Sequence, residues 1–262
     1  MSSEIQPIVR SFTIIEYLAS SEGARSLREI ASACSLPPST THRLLNTLCL
    51  LDYVVHESNG HYRLSYKIVG ISGNIVSRSN FISIVKPFLD NLSDRLNESV
   101  HLVARDGNDI VYVYKVTRAI GSIQMASHIG MKLPMYRCAV GKAILATLDN
   151  TEIANIFNSS KVIATSPNTI TSFDRLMAEI ETTRQLGYAI DNEENEVGVR
   201  CIATSLLCRQ ENIAYAFSVS SLKSRITDVR ITEIAECLLE IKKQIEKLFI
   251  YPQQVIFMAQ VV

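Results

Sequence analysis

The sequence predicts an α+β chain. A winged helix-turn-helix at residues 1–65 is joined by a linker helix at 66–80 to a second α+β domain at 81–250, with a tail at 251–262. Three observations predict it. Two helical periods, Leu27 to Cys34 and Ser39 to Leu51, flank a tight turn at Ser35 to Pro38 and run straight into a short hairpin, the order of a winged helix-turn-helix. Beyond residue 80, hairpin signals alternate with helical periods, which favours an α+β domain over a doubly wound parallel sheet. Between the two, the polar run Ser77-Arg78-Ser79-Asn80 reads as a domain boundary.

Taken in order, Ile8, Phe12, Ile15 and Leu18 recur at helical spacing, so a first helix from Ile8 to Leu18 is expected to pack behind the helix-turn-helix. A polar loop containing Gly23 follows. Pro37 and Pro38 suit the start of the second motif helix, because a missing N–H costs little in a first turn. Tyr53 to His56, the turn residues Ser58-Asn59-Gly60 and Tyr62 to Leu64 make the wing. Tyr66 to Ser77 is the linker helix. The period from Phe81 to Leu96 runs through Pro87, so that helix either begins early and kinks or starts near Val85. Val100 to Arg105 and Ile110 to Val116 are strands around the Asp106-Gly107-Asn108-Asp109 turn. Further strands are expected at Ser122 to Ile129, Cys201 to Leu207 and Ile213 to Ser220. Helices are expected at Gly141 to Leu148, Ser172 to Leu186 and Asp228 to Phe249.

On a helical wheel, Thr41, Leu44, Leu45, Leu48 and Leu51 share one face of the second motif helix, and Ser39, His42, Arg43 and Asn46 the other. The apolar face anchors and the polar face is free to read. Hydroxyl, imidazole, guanidinium and amide groups bond phosphates and base edges, with Arg to guanine and Asn to adenine able to bond bidentately. Arg63 in the wing is placed for a phosphate.

Charge gives this reading no help. The chain carries 26 basic and 26 acidic residues. Through Lys67, the cations Arg10, Arg25, Arg28, Arg43, Arg63 and Lys67 are matched by Glu4, Glu16, Glu22, Glu29, Asp52 and Glu57. Moderate phosphate affinity per subunit and reliance on oligomerisation are therefore expected. The six cysteines show no paired spacing, so neither a disulfide framework nor a zinc site is predicted, and no metal or cofactor is expected. No apolar run reaches the length of a bilayer span, so the expected partners include no membrane and the expected location is the cytoplasm.

The chain resembles the IclR family of bacterial transcriptional regulators over about Ile8 to Ile250. In the N-terminal part the resemblance rests on the run from Ser35 through Leu48 and on Tyr62-Arg63-Leu64. Downstream it rests on Gly130-Met131-Lys132-Leu133-Pro134, on Ala139-Val140-Gly141-Lys142-Ala143, and on Gly187 to Glu194 with Gly198 to Ala203. The resemblance implies that the second domain is GAF-like and binds a small effector, and that the protein works as a homodimer or tetramer on double-stranded operator DNA. On that DNA the reading face and the wing present Ser39, Thr40, His42, Arg43, Asn46 and Arg63. The resemblance lines the effector pocket with Met125, Leu133, Ala139, Val140, Asp191, Cys201, Ser218 and Ser220. The Glu-Glu-Asn-Glu-Val-Gly-Val-Arg-Cys stretch is similar to members controlling sugar-acid catabolism, so a sugar acid or 2-keto acid is the expected effector and repression of a catabolic operon the expected outcome, with activation as the alternative. Pro38 stands where many relatives carry a basic residue, and Ser122 and Met125 would leave a roomier pocket. The tail after Tyr251 has no assigned role.

The residues themselves agree with a small-acid site. Ser218 and Ser220, two apart on a strand, project on one face. Backbone N–H groups at the start of the Gly141 helix favour an anion, and Asp191 is placed to hold a ligand hydroxyl or to orient Arg200. Two other readings compete. One is an enzyme with Cys201 as nucleophile and His101 or His128 as base, although no catalytic signature surrounds Cys201. The other is a protein-interaction module in which the winged helix contacts protein.

Overall fold

The computed structural model describes residues 4–78, 80–118, 127–208 and 213–250. Met125, most of the strand expected at Ser122 to Ile129 and the tail at 251–262 lie outside them. The chain forms two compact units that divide at residues 79 and 80.

The first unit runs α1 (Gln6–Ser20), β1 (Arg25–Ser26), α2 (Leu27–Ala33), α3 (Pro38–Leu50), β2 (Val54–His56), β3 (His61–Leu64) and α4 (Lys67–Arg78). A capping box starts α2: the Ser26 hydroxyl accepts the Glu29 N–H at 3.4 Å while the Glu29 carboxylate accepts the Ser26 N–H at 2.7 Å. Ser35 takes a left-handed conformation, φ 53°, and the Leu36 N–H reaches back to the Ala31 carbonyl at 2.9 Å, which turns the chain into α3. Gly60, φ 81°, closes the wing between β2 and β3. β1 adds a third antiparallel strand beside β3. At two residues it is too short to leave a period in the sequence.

Ile14, Leu18, Ile30, Leu45, Leu48, Val54 and Tyr62 form the core of this unit. Two expectations are corrected here. Ile8 and Phe12 do not pack behind the motif; both are more than half exposed, because the core-facing stripe of α1 is set by Ile14 and Leu18. On α3, Thr41, Leu45 and Leu48 are buried but Leu51 is exposed, since it follows the last helical residue. Lys67 closes that end of α3: its ammonium donates to the Leu51 carbonyl at 2.7 Å and lies 4.6 Å over the Tyr53 ring.

The second unit begins with α5 (Asn80–Leu96), a single helix that carries Pro87 inside it. Then come β4 (Ser99–Asp106), β5 (Asp109–Val116), β6 (Lys132–Pro134), a 3-10 turn (Met135–Arg137), α6 (Ala139–Leu145), α7 (Asn150–Ser159), α8 (Phe173–Leu186), β7 (Ala189–Asn192), β8 (Val199–Cys208), β9 (Ile213–Leu222) and α9 (Asp228–Ile250). The strands form one antiparallel sheet in the order β6-β5-β4-β9-β8-β7. Helices α5 and α9 pack on one face; α6 lies on the other with α8 against it.

Three sequence expectations shift. The helix expected at Gly141 to Leu148 starts at Ala139 and stops at Leu145, because Asp149 caps a separate helix, α7, through the Glu152 N–H at 2.8 Å. The described end of the strand expected at Ser122 to Ile129 is not strand. The strand expected at Cys201 to Leu207 runs longer, from Val199 to Cys208, and pairs with β7, where Asp191 is buried.

Alternation along the strands sorts the core. On β9, Tyr215, Phe217 and Val219 alternate with Ala214, Ala216, Ser218 and Ser220. Phe81 of α5 stacks on Tyr215 at 4.3 Å, which assigns the first set to the α5/α9 face. Ala214 and Ala216 join the core beneath α6 with Val103, Ala203, Ile144 and Leu176. Glu98, fully buried, is held by Arg225 and Arg230 and ties the start of β4 to the segment between β9 and α9 and to the first turn of α9.

Candidate functional site

The α6 face of the sheet changes from apolar to polar along β9, where Ala214 and Ala216 give way to Ser218 and Ser220. Strand register extends the polar patch sideways. His101 of β4 pairs with Ser218, Cys201 of β8 with Ser220, and Asp191 of β7 with Cys201. Paired residues share a face. A cavity of about 50 Å³ opens there, bounded among others by Leu133, Ala139 and Val140. Seven of the eight sequence-named pocket residues thus meet at one cavity, and Met125 lies outside the described residues.

Tyr112, Ser127 and Cys138, which sequence reasoning missed, also line it, as does His101, which the sequence offers only as a base for Cys201. The His101 ring lies edge-on to Tyr112 at 5.4 Å, and its Nε2 is 3.0 Å from the Ser127 hydroxyl. Burial, aided by Lys115, pushes His101 down to about 3, so the imidazole is neutral and can donate from one nitrogen and accept at the other. No local sequence signal marks these residues. Only the register of β4 against β9 brings His101 to Ser218.

Asp191 is the chemically distinctive group. Its Oδ1 accepts the N–H of Glu194 at 2.7 Å and of Asn195 at 3.4 Å, in a turn where Glu193 has φ 63°. Burial, with the Glu194 carboxylate second, raises its carboxyl to about 7 against those hydrogen bonds and Lys142. Behind it, Glu194 Oε1 receives the Lys142 ammonium at 2.7 Å, and burial raises Glu194 as well. Lys142 is fully enclosed and also reaches Glu179 at 3.3 Å. Asp191 does not orient Arg200. Register pairs Arg200 with Asn192, one residue away, and that offset turns it to the other face, where it bonds Asn192, the Ile226 carbonyl and Asp228.

Cys201 is not an activated nucleophile. Burial and then the neighbouring Asp191 push its thiol well above the ordinary range, so the reactive thiolate is disfavoured. Across the sheet, His101 faces Ser218 and bonds Ser127. Among the described residues no cluster of three or more His, Cys, Asp or Glu is placed to hold a metal, and no helix is long and apolar enough to cross a membrane.

In the first unit Ser39, His42, Arg43 and Asn46 are exposed on α3 and Thr40 is half-buried. His42 and Asn46 approach within 3.5 Å. Arg63 sits on the wing, where Nε donates to Glu57 at 2.9 Å and Nη1 to the Leu64 carbonyl at 3.2 Å, so part of its donor set is spent on the hairpin. Thr40, Arg43 and Arg10 border an apolar cleft of about 840 Å³ within this unit, formed by α1, α3 and Ile71 of α4.

Both parts of the chain match known proteins. Residues 7–58 match the IclR helix-turn-helix domain and residues 73–247 the bacterial transcriptional regulator IclR C-terminal domain. The chain is 31% identical over 249 residues to the HTH-type transcriptional regulator XynR of Escherichia coli (strain K12), covering 95% of this chain and 98% of that one. It is 30% identical over 246 residues to the transcriptional repressor IclR of the same organism, covering 93% and 90%. The crystal structure of the Thermotoga maritima IclR superposes with a TM-score of 0.79 at 29% identity, covering 94% and 99%. These matches are transcriptional regulators, not enzymes.

Proposed function

The chain belongs to the IclR family of bacterial transcriptional regulators, and from that premise we propose that it is a cytoplasmic repressor of a catabolic operon, released from its operator when a small carboxylate enters the cavity beneath α6. One observation carries the effector half of this reading: Leu133, Ala139, Val140, Asp191, Cys201, Ser218 and Ser220, drawn from separated stretches of sequence, converge on a single cavity. Two hydroxyls, a neutral imidazole and the Asp191 carboxyl supply directional hydrogen bonds, while Leu133 and Val140 supply apolar wall. The first two N–H groups of α6, on Ala139 and Val140, precede the first intrahelical bond and can donate to a ligand oxygen.

Size selects among acids. A volume of about 50 Å³ holds roughly three to five water-sized groups. That scale favours a 2-keto or 2-hydroxy acid of two or three carbons over a six-carbon sugar acid.

On DNA, Ser39, Thr40, His42, Arg43 and Asn46 of α3 read the major groove, and the remaining N–H groups of Arg63 meet a phosphate beside the wing. The near-balanced charge of the N-terminal unit, seven basic against six acidic residues, makes one copy a weak binder, so the working form is a homodimer or tetramer that engages two half-sites together. Effector binding then acts by favouring the arrangement of subunits that cannot span both half-sites. A gel-shift titration against the DNA upstream of this chain's own gene tests the reading. A retarded complex at low salt that disperses with short keto acids is expected; no complex with or without acids overturns it.

A further inference from the structure

The wall of the cavity carries an unbalanced charge. Asp191 faces the cavity, and Glu194 sits behind it with its own N–H on Asp191 Oδ1 at 2.7 Å. Both carboxyls are buried. Lys142, fully enclosed in α6, answers them from 2.7 Å at Glu194 Oε1, and Glu194 Oε2 has no hydrogen-bond partner. Neither Lys142 nor Glu194 lines the cavity. The other titratable or charged groups around Asp191 are Glu196 on the same loop, Cys201 of β8, Cys138 before α6, His101 of β4 and Tyr112 of β5. Arg137 of the 3-10 turn is within electrostatic reach of Tyr112, and Glu179 of α8 shares Lys142. The imidazole of His101 is neutral, and burial keeps the two thiols and the phenol in their neutral forms.

A carboxylate ligand beside an ionised Asp191 would add a further negative charge to a buried site that already holds Glu194. A protonated Asp191 instead offers a donor, because its Oδ1 is already taken by two N–H groups and Oδ2 is left for the cavity. We propose that Lys142 and Glu194 are positioning residues that set the ligand preference of the cavity by fixing the protonation state of Asp191, so that a carboxylate ligand enters together with one proton taken from solvent and held on Asp191 Oδ2. This rests on the effector-site reading above. Lys142 favours the ionised carboxyl and Glu194 the acid, so the two act in opposite directions on one group.

That opposition is the test. Carboxyl carbon NMR on the full-length chain labelled at Asp and Glu, with the Asp191 signal assigned by its loss in Asp191→Asn, follows Asp191 without any ligand. Glu194→Gln should lower the pH at which Asp191 titrates, Lys142→Met should raise it, and Lys142→Arg should restore it. Movement of both variants in the same direction, or no movement, overturns the proposal; if Lys142→Met does not fold, the isosteric Glu194→Gln decides alone. In parallel, thermal shift with glyoxylate, pyruvate, glycolate and lactate compares pH 6 with pH 8. A group titrating near 7 predicts about tenfold tighter binding at the lower pH, lost in Asp191→Asn. Binding of equal strength at both pH values overturns the proton coupling and leaves the effector site standing. No shift with any acid at either pH overturns the carboxylate effector, and the proposal's ligand with it, whatever the NMR titration shows.

Discussion

An aspartate that accepts two backbone N–H groups and lies near a lysine would ordinarily be held ionised, yet burial and the Glu194 carboxylate outweigh both at Asp191 and bring its carboxyl up to about 7. The unfolded chain titrates the same group near 4. The folded chain therefore binds more protons across that interval, so this group's contribution to stability is present at low pH and is lost as pH rises through about 7. Asp191→Asn keeps the shape without the charge. Urea unfolding should find the variant gaining on the wild type at pH 8 relative to pH 5; a difference that does not change with pH would contradict the assignment. On α3, Arg43→Ala should weaken operator binding by about 1 to 3 kcal/mol and leave acid-induced thermal shifts intact, measured by gel shift at fixed salt. Residue chemistry was legible in sequence where spacing carries it, as for Ser218 and Ser220, or where a resemblance points to it, as for Asp191 and Cys201. Tyr112 is not legible in the sequence, and His101 is legible only as a base for Cys201, because strand register rather than neighbouring sequence brings them to the cavity.

Among the elements, α6 is short and tightly seated. A Cβ on Gly141 would lie 2.2 Å from the Met135 carbonyl oxygen, and that neighbour is backbone of the adjoining 3-10 turn, which cannot swing away as a side chain would. Gly141→Ala should thus destabilise the chain by roughly 2 kcal/mol or more, read as a lower urea midpoint, and should blunt acid-induced thermal shifts by displacing Ala139 and Val140. Long elements with a clear period, such as α3, α8 and α9, were predicted to within a few residues. The sequence does not mark β1, β6 and β7, each two to four residues long, or α7. Strands that short carry no usable alternation, and they exist because a longer neighbour supplies their hydrogen bonds.

For the molecule as a whole, the N-terminal unit leaves more apolar surface uncovered than its own core needs. Ile8 and Phe12 of α1 and Ile71 of α4 are exposed around the cleft that also reaches Leu51. An exposed apolar face of this kind, on a unit whose net charge gives no affinity of its own, suits contact with a second copy. Ile8→Glu with Phe12→Glu should shift the chain toward monomer in sedimentation and weaken operator binding at least tenfold, while the core residues Ile14 and Leu18 keep the unit folded; an unchanged oligomer would place the interface elsewhere. The sequence by itself determined the order of the helix-turn-helix and wing, the division near residue 80, the α+β class and the family, because periodicity, turn chemistry and motif order are local and survive without coordinates. Only the tertiary structure decided which apolar residues of α1 are core, which face of the sheet turns polar, and that Lys142 and Glu194 stand behind Asp191. Those outcomes depend on strand register and burial, which bring together residues distant in sequence and change their charge by removing water.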